Sequence, residues 1–171
     1  MTCQPLSQIP NGSNVFLDAN ILVYGLSGGS GQCTLLLERC SKEEVTGICL
    51  FEIVNEATHR FMLAEAFQKG IISRESAMTL RSHSTLIPSL SDYWRDTERI
   101  LNLNVLFLST NEEIVRNAKA ERQQFGLLTN DSMIVSCMRS YGITILATND
   151  TDFERVSGIA IYRPDDLPPF S

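Results

Sequence analysis

Histidine occurs only twice in this chain, at His59 and His83, and neither stands in a catalytic motif. That scarcity leaves no Ser-His-Asp or Cys-His arrangement to activate a nucleophile. The five cysteines, Cys3, Cys33, Cys40, Cys49 and Cys137, are odd in number and irregularly spaced, with no C-x-x-C pair. That pattern suits reduced thiols in a cytoplasmic protein rather than a disulfide framework, most of them acting as small core residues. No uninterrupted apolar run approaches 18 residues, and the lead-in MTCQPLSQIPNGSN lacks a basic or apolar targeting segment. The expectation is a soluble chain with no membrane partner. A basic excess is missing too: 14 Lys and Arg face 20 Asp and Glu, a formal charge of −6. That argues against a sequence-independent DNA coater, which needs a basic face to displace counterions. It does not exclude a nuclease, because cations held by carboxylates reverse the local sign.

What is present is enough apolar material, 43% of 171 residues, for one domain with a sizeable core, read as a single unit over 1–171. After the polar lead-in, Val15 to Leu17 read as a short buried strand that delivers Asp18 to its carboxyl end. SGGSG at 27–31 breaks the chain before a helical CTLLLERCSKEE and a second strand at VTGI. Leu50, Ile53, Val54, Ala57 and Phe61 form the stripe of an amphipathic helix. Glu56 lies about 115° from the middle of that stripe and Glu52 about 155° away on the other side. Glu56 is thus the better candidate for a partly enclosed carboxylate, with Glu52 as its substitute. Residues 64–100 read as a helical excursion broken at Gly70 and near Pro88. Its basic residues, Lys69, Arg74, Arg81, Arg95 and Arg99, read as a solvated face rather than an RNA track.

Asn104 to Leu108 read as a third strand, followed by a helix capped near Asn111 and closed by Gly126. Asn130 is expected to cap a helix from Asp131 to Tyr141, rising about 16 Å. A strand from Ile143 to Thr148 then carries the chain back about 20 Å, so Asp131 and Asp150 return to one end. GIAIYRP reads as a final edge strand.

Four acids, Asp18, Glu56, Asp131 and Asp150, are thereby expected at one edge of one sheet. In open α/β sheets the ligand site lies off the carboxyl ends of the strands. Carboxylates without His or Cys partners suit hard cations such as Mg²⁺ and Mn²⁺ and suit zinc poorly. Such ions remove the mutual repulsion of clustered acids and support hydrolysis of a phosphodiester.

The opening DANILVY, the internal NEATHR, the NDSMIV segment and the terminal TNDTDF followed by GIAIY resemble the PIN domain, the fold of VapC-type toxin ribonucleases. The likeness runs from about Val15 to Pro164. It implies a three-layer α/β/α sandwich around a mostly parallel sheet of four or five strands. By the same resemblance Asp18, Glu56, Asp131 and Asp150 match the acidic metal-binding quartet, Asn20 orients the first Asp, and Thr148 is the hydroxyl residue beside the last acid. The activity implied is Mg²⁺- or Mn²⁺-dependent cleavage of single-stranded RNA, with a homodimeric state and a small antitoxin partner. The excursion at 64–100 is longer than a minimal toxin of this kind carries.

Individual residues have plainer readings. Asp18 alone could be a strand-end turn residue, and Asp131 a charge at a helix start. Asp152 competes with Asp150 and reads as the cap of a turn beginning at Phe153, or as a residue supporting the metal ligands. Arg60, at i+4 from Glu56, fits either an ion pair or a phosphate contact. His59 reads as exposed and Cys137 as core. Two other functions compete: a haloacid-dehalogenase-type phosphatase, and a PIN-like binding module without activity. The phosphatase pattern wants an Asp where Asn20 stands.

Overall fold

The computed structural model describes residues 3–167. Within the polar lead-in, Gln4–Pro5 form strand β1, followed by a 3-10 turn over Leu6–Gln8. The apolar run becomes β2 (Asn14–Leu17), whose last three residues are buried. It passes directly into helix α1 (Ala19–Ser27), with Asp18 as its N-cap and Gly28 closing it in the left-handed region at φ 75°. α2 (Gly31–Ser41) is capped by Ser30, and β3 (Thr46–Leu50) leads into α3 (Phe51–Gln68). As the stripe predicts, Ile53, Val54, Ala57 and Phe61 are buried. Ile53, Val54 and Phe61 each contribute about 1.5–3 kcal/mol by leaving water, and the Ala57 methyl about 0.8 kcal/mol.

The excursion holds α4 (Ala77–Arg81), a 3-10 turn over Ser84–Ser89 that contains Pro88, and α5 (Asp92–Leu101). Its apolar residues Ile72, Leu80 and Leu90 pack with Leu63 and Ala66 of α3 in a small second cluster beside the main core. α5 lies along α3. Three of its five cations are tied to acids: Lys69 to Glu65 and Asp92, Arg95 to Asp92, and Arg99 to Asp96. The solvated-face expectation suits that arrangement.

β4 (Val105–Leu108) follows, then α6 (Glu112–Phe125), α7 (Thr129–Ser140), β5 (Ile145–Ala147), a 3-10 turn over Thr151–Arg155, and β6 (Ala160–Arg163). Asn111 caps α6 by accepting from the Ile114 amide, and Gly126 ends it at φ 65°. The Asn130 cap is corrected: α7 begins two residues earlier, after Leu128, and the Asn130 side chain reaches Glu56 instead. The strand expected over 143–148 contracts to three residues.

The strands run parallel throughout, in the order β1-β6-β5-β2-β3-β4. The sheet therefore has six strands rather than four or five. β6 is not an edge, because Gln4 pairs with Tyr162 and Pro5 with Arg163. A strand of two residues carries no periodicity to read, and Pro5 is tolerated there because β1 itself is the edge. The helices fall into two groups, α1 with α2, α3 and α5, and α6 with α7. This is an α/β plan with helices flanking a parallel sheet.

Chain order reverses between β2 and β5, since β2 leads outward to β3 and β4 whereas β5 leads to β6. That reversal is the topological switch point, where a crevice opens at the carboxyl ends of the strands.

Candidate active site

Asp18 stands at that crevice because it directly follows β2, and Thr148, Asn149 and Asp150 stand opposite because they follow β5. Asp18 is nearly closed off from solvent, at 8% exposure. Its Oδ1 accepts from the Ala19 amide at 2.6 Å and its Oδ2 from the Thr148 hydroxyl at 2.6 Å. The Asn20 side-chain amide also donates to Asp18 Oδ2 and lies 3.2 Å from Thr148 Oγ1. Asn20 Oδ1 in turn accepts from the Asn149 amide at 2.9 Å, which ties the two strand ends together.

A cavity of about 460 Å³ opens here, lined by Asp18, Asn20, Glu56, Asp131, Asn149 and Asp150, with Tyr24, Arg60 and Thr151 completing it. All four acids expected from sequence therefore border one space. Glu56 comes from α3 and Asp131 from the first turn of α7, and Asn130 donates to Glu56 Oε2 at 3.4 Å. Glu52 does not line the cavity.

The closest-spaced acids here are two of the lining residues, Asp131 and Asp150, together with Asp152 just outside the lining, and their nearest oxygens all lie within 4.8 Å of one another. Two oxygens ligating one Mg²⁺ at about 2.1 Å sit at most about 4.2 Å apart, so the trio is close to shared-ion spacing. Asp18 and Glu56 line the cavity but are not part of that trio. The role given to Asp152 is corrected on one point: the cap of the 3-10 turn is Asp150, whose Oδ1 accepts from the Asp152 amide at 2.8 Å. Capping by Asp150 swings Asp152 round beside it, and that outcome of a short turn carries no periodic signal.

Electrostatics follow from the crowding. Burial pushes the Asp18 carboxyl up to about 6 against the lowering effect of its Thr148 and Ala19 hydrogen bonds, and the charges of Glu56 and Asp131 add to the rise. Asp131 is raised by burial first, then by Asp150, Asp152 and Glu56. Asp18 and Asp131 thus carry a cost from burial and neighbouring negative charge, and the donors are oxygens without His or Cys, the set that hard divalent ions prefer. The donor chemistry fits Mg²⁺ or Mn²⁺, with Asp131, Asp150 and Asp152 as nearest ligands and Asp18 and Glu56 bordering.

The cysteines stay outside this chemistry. Cys33, Cys40, Cys49 and Cys137 are buried, and burial pushes the Cys49 thiol up to about 12. His59 is exposed, as expected. Arg60 forms no ion pair with Glu56 but lies over the Tyr24 ring, 5.6 Å from its centroid.

A parallel α/β fold whose switch-point cavity is bordered by four carboxylates defines a class of acid-site proteins suited to divalent ions. The model of the PIN domain matches residues 15–159, and the chain belongs to the PIN domain family. Ribonuclease VapC6 of Methanocaldococcus jannaschii is 29% identical over 154 residues, covering 88% of this chain and 97% of that protein. Ribonuclease VapC2 of the same organism is 26% identical over 153 residues, covering 88% and 94%. In fold, the chain is similar to the crystal structure of VapBC2 from Rickettsia felis bound to a DNA fragment from its promoter. That likeness has a TM-score of 0.59 at 16% identity, covering 89% of this chain and 99% of that one.

Proposed function

We propose that this protein is a metal-dependent endoribonuclease that hydrolyses phosphodiester bonds of single-stranded RNA, the toxin of a toxin–antitoxin pair. The observation that carries this reading is the convergence of Asp18, Glu56, Asp131 and Asp150 on one cavity at the sheet's switch point. The ribonuclease names of two relatives matched over most of their length support it. Asp131, Asp150 and Asp152 would hold Mg²⁺ or Mn²⁺, with Asp18 and Glu56 completing the site. When bound, such an ion supplies Lewis acidity, an activated water and charge neutralisation at the phosphoryl oxygens. The chain's own part is orientation: Thr148 and Asn20 fix the Asp18 carboxylate, and the Asp150 cap fixes the turn that carries Asp152. A small antitoxin, a homodimeric state and a cytoplasmic setting belong to the same proposal. Among the described residues no helix is long and apolar enough to cross a membrane.

The test is Mn²⁺-dependent cutting of an unstructured RNA. Asp18→Asn and Asp131→Asn are each expected to abolish it while circular dichroism and thermal unfolding stay cooperative. Cutting by both variants at the parental rate would remove these residues from the chemistry. A phosphatase would instead turn over p-nitrophenyl phosphate, and a binding module would show no Mn²⁺ binding by calorimetry.

A further inference from the structure

Among the described residues, Arg60 is the only cation lining a cavity that four carboxylates also border. It nevertheless makes no ion pair and no hydrogen bond among the described residues, whereas Arg39, Arg99, Arg139 and Arg163 each engage a carboxylate. Its guanidinium is drawn onto the Tyr24 ring from α1, with the charge 5.6 Å from the ring centroid. An arginine held on an aromatic face keeps its fork of N–H donors free in a fixed orientation. The i+4 position relative to Glu56 would have allowed a helix ion pair, and the structure does not use it.

We propose that Arg60, held by Tyr24, is a phosphate subsite that grips a phosphodiester of the RNA strand beside the one presented to the acids. This rests on the nuclease reading given above and deepens it. A polyanion entering an acidic cleft meets repulsion wherever no cation stands, and Arg60 supplies the one fixed positive charge on that wall. Its planar fork matches two phosphoryl oxygens at once, which a lysine point charge does not. The subsite therefore acts on strand binding and register, and leaves the acids to the reacting phosphate.

The experiment is steady-state cleavage of a fluorescein-labelled single-stranded oligoribonucleotide with saturating Mn²⁺ over a range of KCl concentrations, with Mn²⁺ binding measured separately by calorimetry. Arg60→Ala is expected to raise KM about tenfold, leave kcat within about twofold, and flatten the salt dependence of log(1/KM) by about 0.7, the loss of one phosphate contact to a single strand. Arg60→Lys should restore the salt slope but only part of the affinity, and Tyr24→Leu, which removes the ring face that holds the guanidinium, should raise KM in the same direction as Arg60→Ala but by less. Mn²⁺ affinity should be unaltered in all three. A parental KM and salt slope in Arg60→Ala would overturn the subsite while parental cutting leaves the nuclease reading standing. Weakened Mn²⁺ binding in Arg60→Ala would also overturn it, by placing the residue's role within the acid cluster. A parental protein that neither binds nor cuts RNA overturns both.

Discussion

The Thr148 hydroxyl donates to Asp18 Oδ2 at 2.6 Å, joining the ends of β2 and β5 through side chains 130 positions apart. The same oxygen accepts from the Asp150 amide at 3.0 Å, so one buried hydroxyl sets the orientation of one acid and the backbone of another. Thr148 is 0% exposed, and no water can take over either bond without rearrangement. Residues that orient carboxylate ligands typically change metal affinity 10–100-fold when lost.

Thr148→Val keeps the shape and removes the hydroxyl. Its expected effect is a loss of Mn²⁺ affinity of about tenfold or more by calorimetry, with a stability loss of about 1–3 kcal/mol from the unpaired buried groups. Thr148→Ser should retain most of both. Equal Mn²⁺ affinity in the valine variant and the parent would show that the carboxylates are held by other means.

Asp18 sets a pH dependence with a definite sign. Its folded carboxyl is raised to about 6 from an ordinary 3.8, chiefly by burial, so folding favours the protonated form. The stability it contributes is complete below about pH 4 and is lost as pH rises through about 6, on the order of 3 kcal/mol in all. The metal-free protein should therefore unfold at lower denaturant at pH 7 than at pH 5. Asp18→Asn should flatten that part of the profile, and Mn²⁺ should raise the midpoint of the parent at pH 7. An unchanged profile in Asp18→Asn would assign the slope to another group.

Far from the cleft, Glu65 carries the opposite sign. Burial alone would raise its carboxyl, but hydrogen bonds from Lys69 and from the Tyr93 and Ser91 amides bring it down to about 2. The two amides donate at 2.8 and 2.9 Å, so Glu65 of α3 caps α5, whose own N-cap Ser91 makes no side-chain bond. A depressed pKa means stability present above about 4.5 and lost as pH falls toward 2, on the order of 3 kcal/mol. Glu65→Gln should cost about 2 kcal/mol at pH 7 and erase the acid-side slope between pH 4.5 and 2 in urea melts. Combined with Asp18, the joint contribution of these two acids to the stability of the metal-free protein is largest near pH 4–5 and is lost on either side. A joint contribution largest near neutral pH would contradict the pair.

These two acids also mark how far the sequence could be read. Asp18 was legible because a run of three apolar residues ends on it, and the stripe of α3 placed Glu56 at its border with the cleft. Asn111 and Gly126 announced both ends of α6. Glu65 was not legible, since its partners lie 26 and 28 residues away and no local pattern encodes that reach. α1 was missed because ANILVYGLS is apolar nearly all round and shows no face to read. β1 was missed because its two residues pair only through β6 at the far end of the chain. The Asn130 cap failed because a side chain able to cap was drawn to Glu56, a tertiary contact overriding a local preference.

Substitution of Asp152 tests which acids would share an ion. Asp152 stands with Asp131 and Asp150 within 4.8 Å, and of its two expected roles, turn cap or support for the metal ligands, the cap is performed by Asp150 instead. Its one ion pair, with Arg155 at 3.1 Å, is exposed at both partners and so contributes little to stability. Asp152→Asn should therefore leave the unfolding midpoint nearly unchanged yet weaken Mn²⁺ binding about tenfold, through loss of one charged oxygen from the trio. Glu154→Gln, one turn position away and paired with Arg163 at 2.9 Å, serves as the control and should bind Mn²⁺ as the parent does. If Asp152→Asn binds Mn²⁺ as tightly as that control, the ion sits instead between Asp131, Asp150 and Asp18, and the turn supplies only the geometry of Asp150.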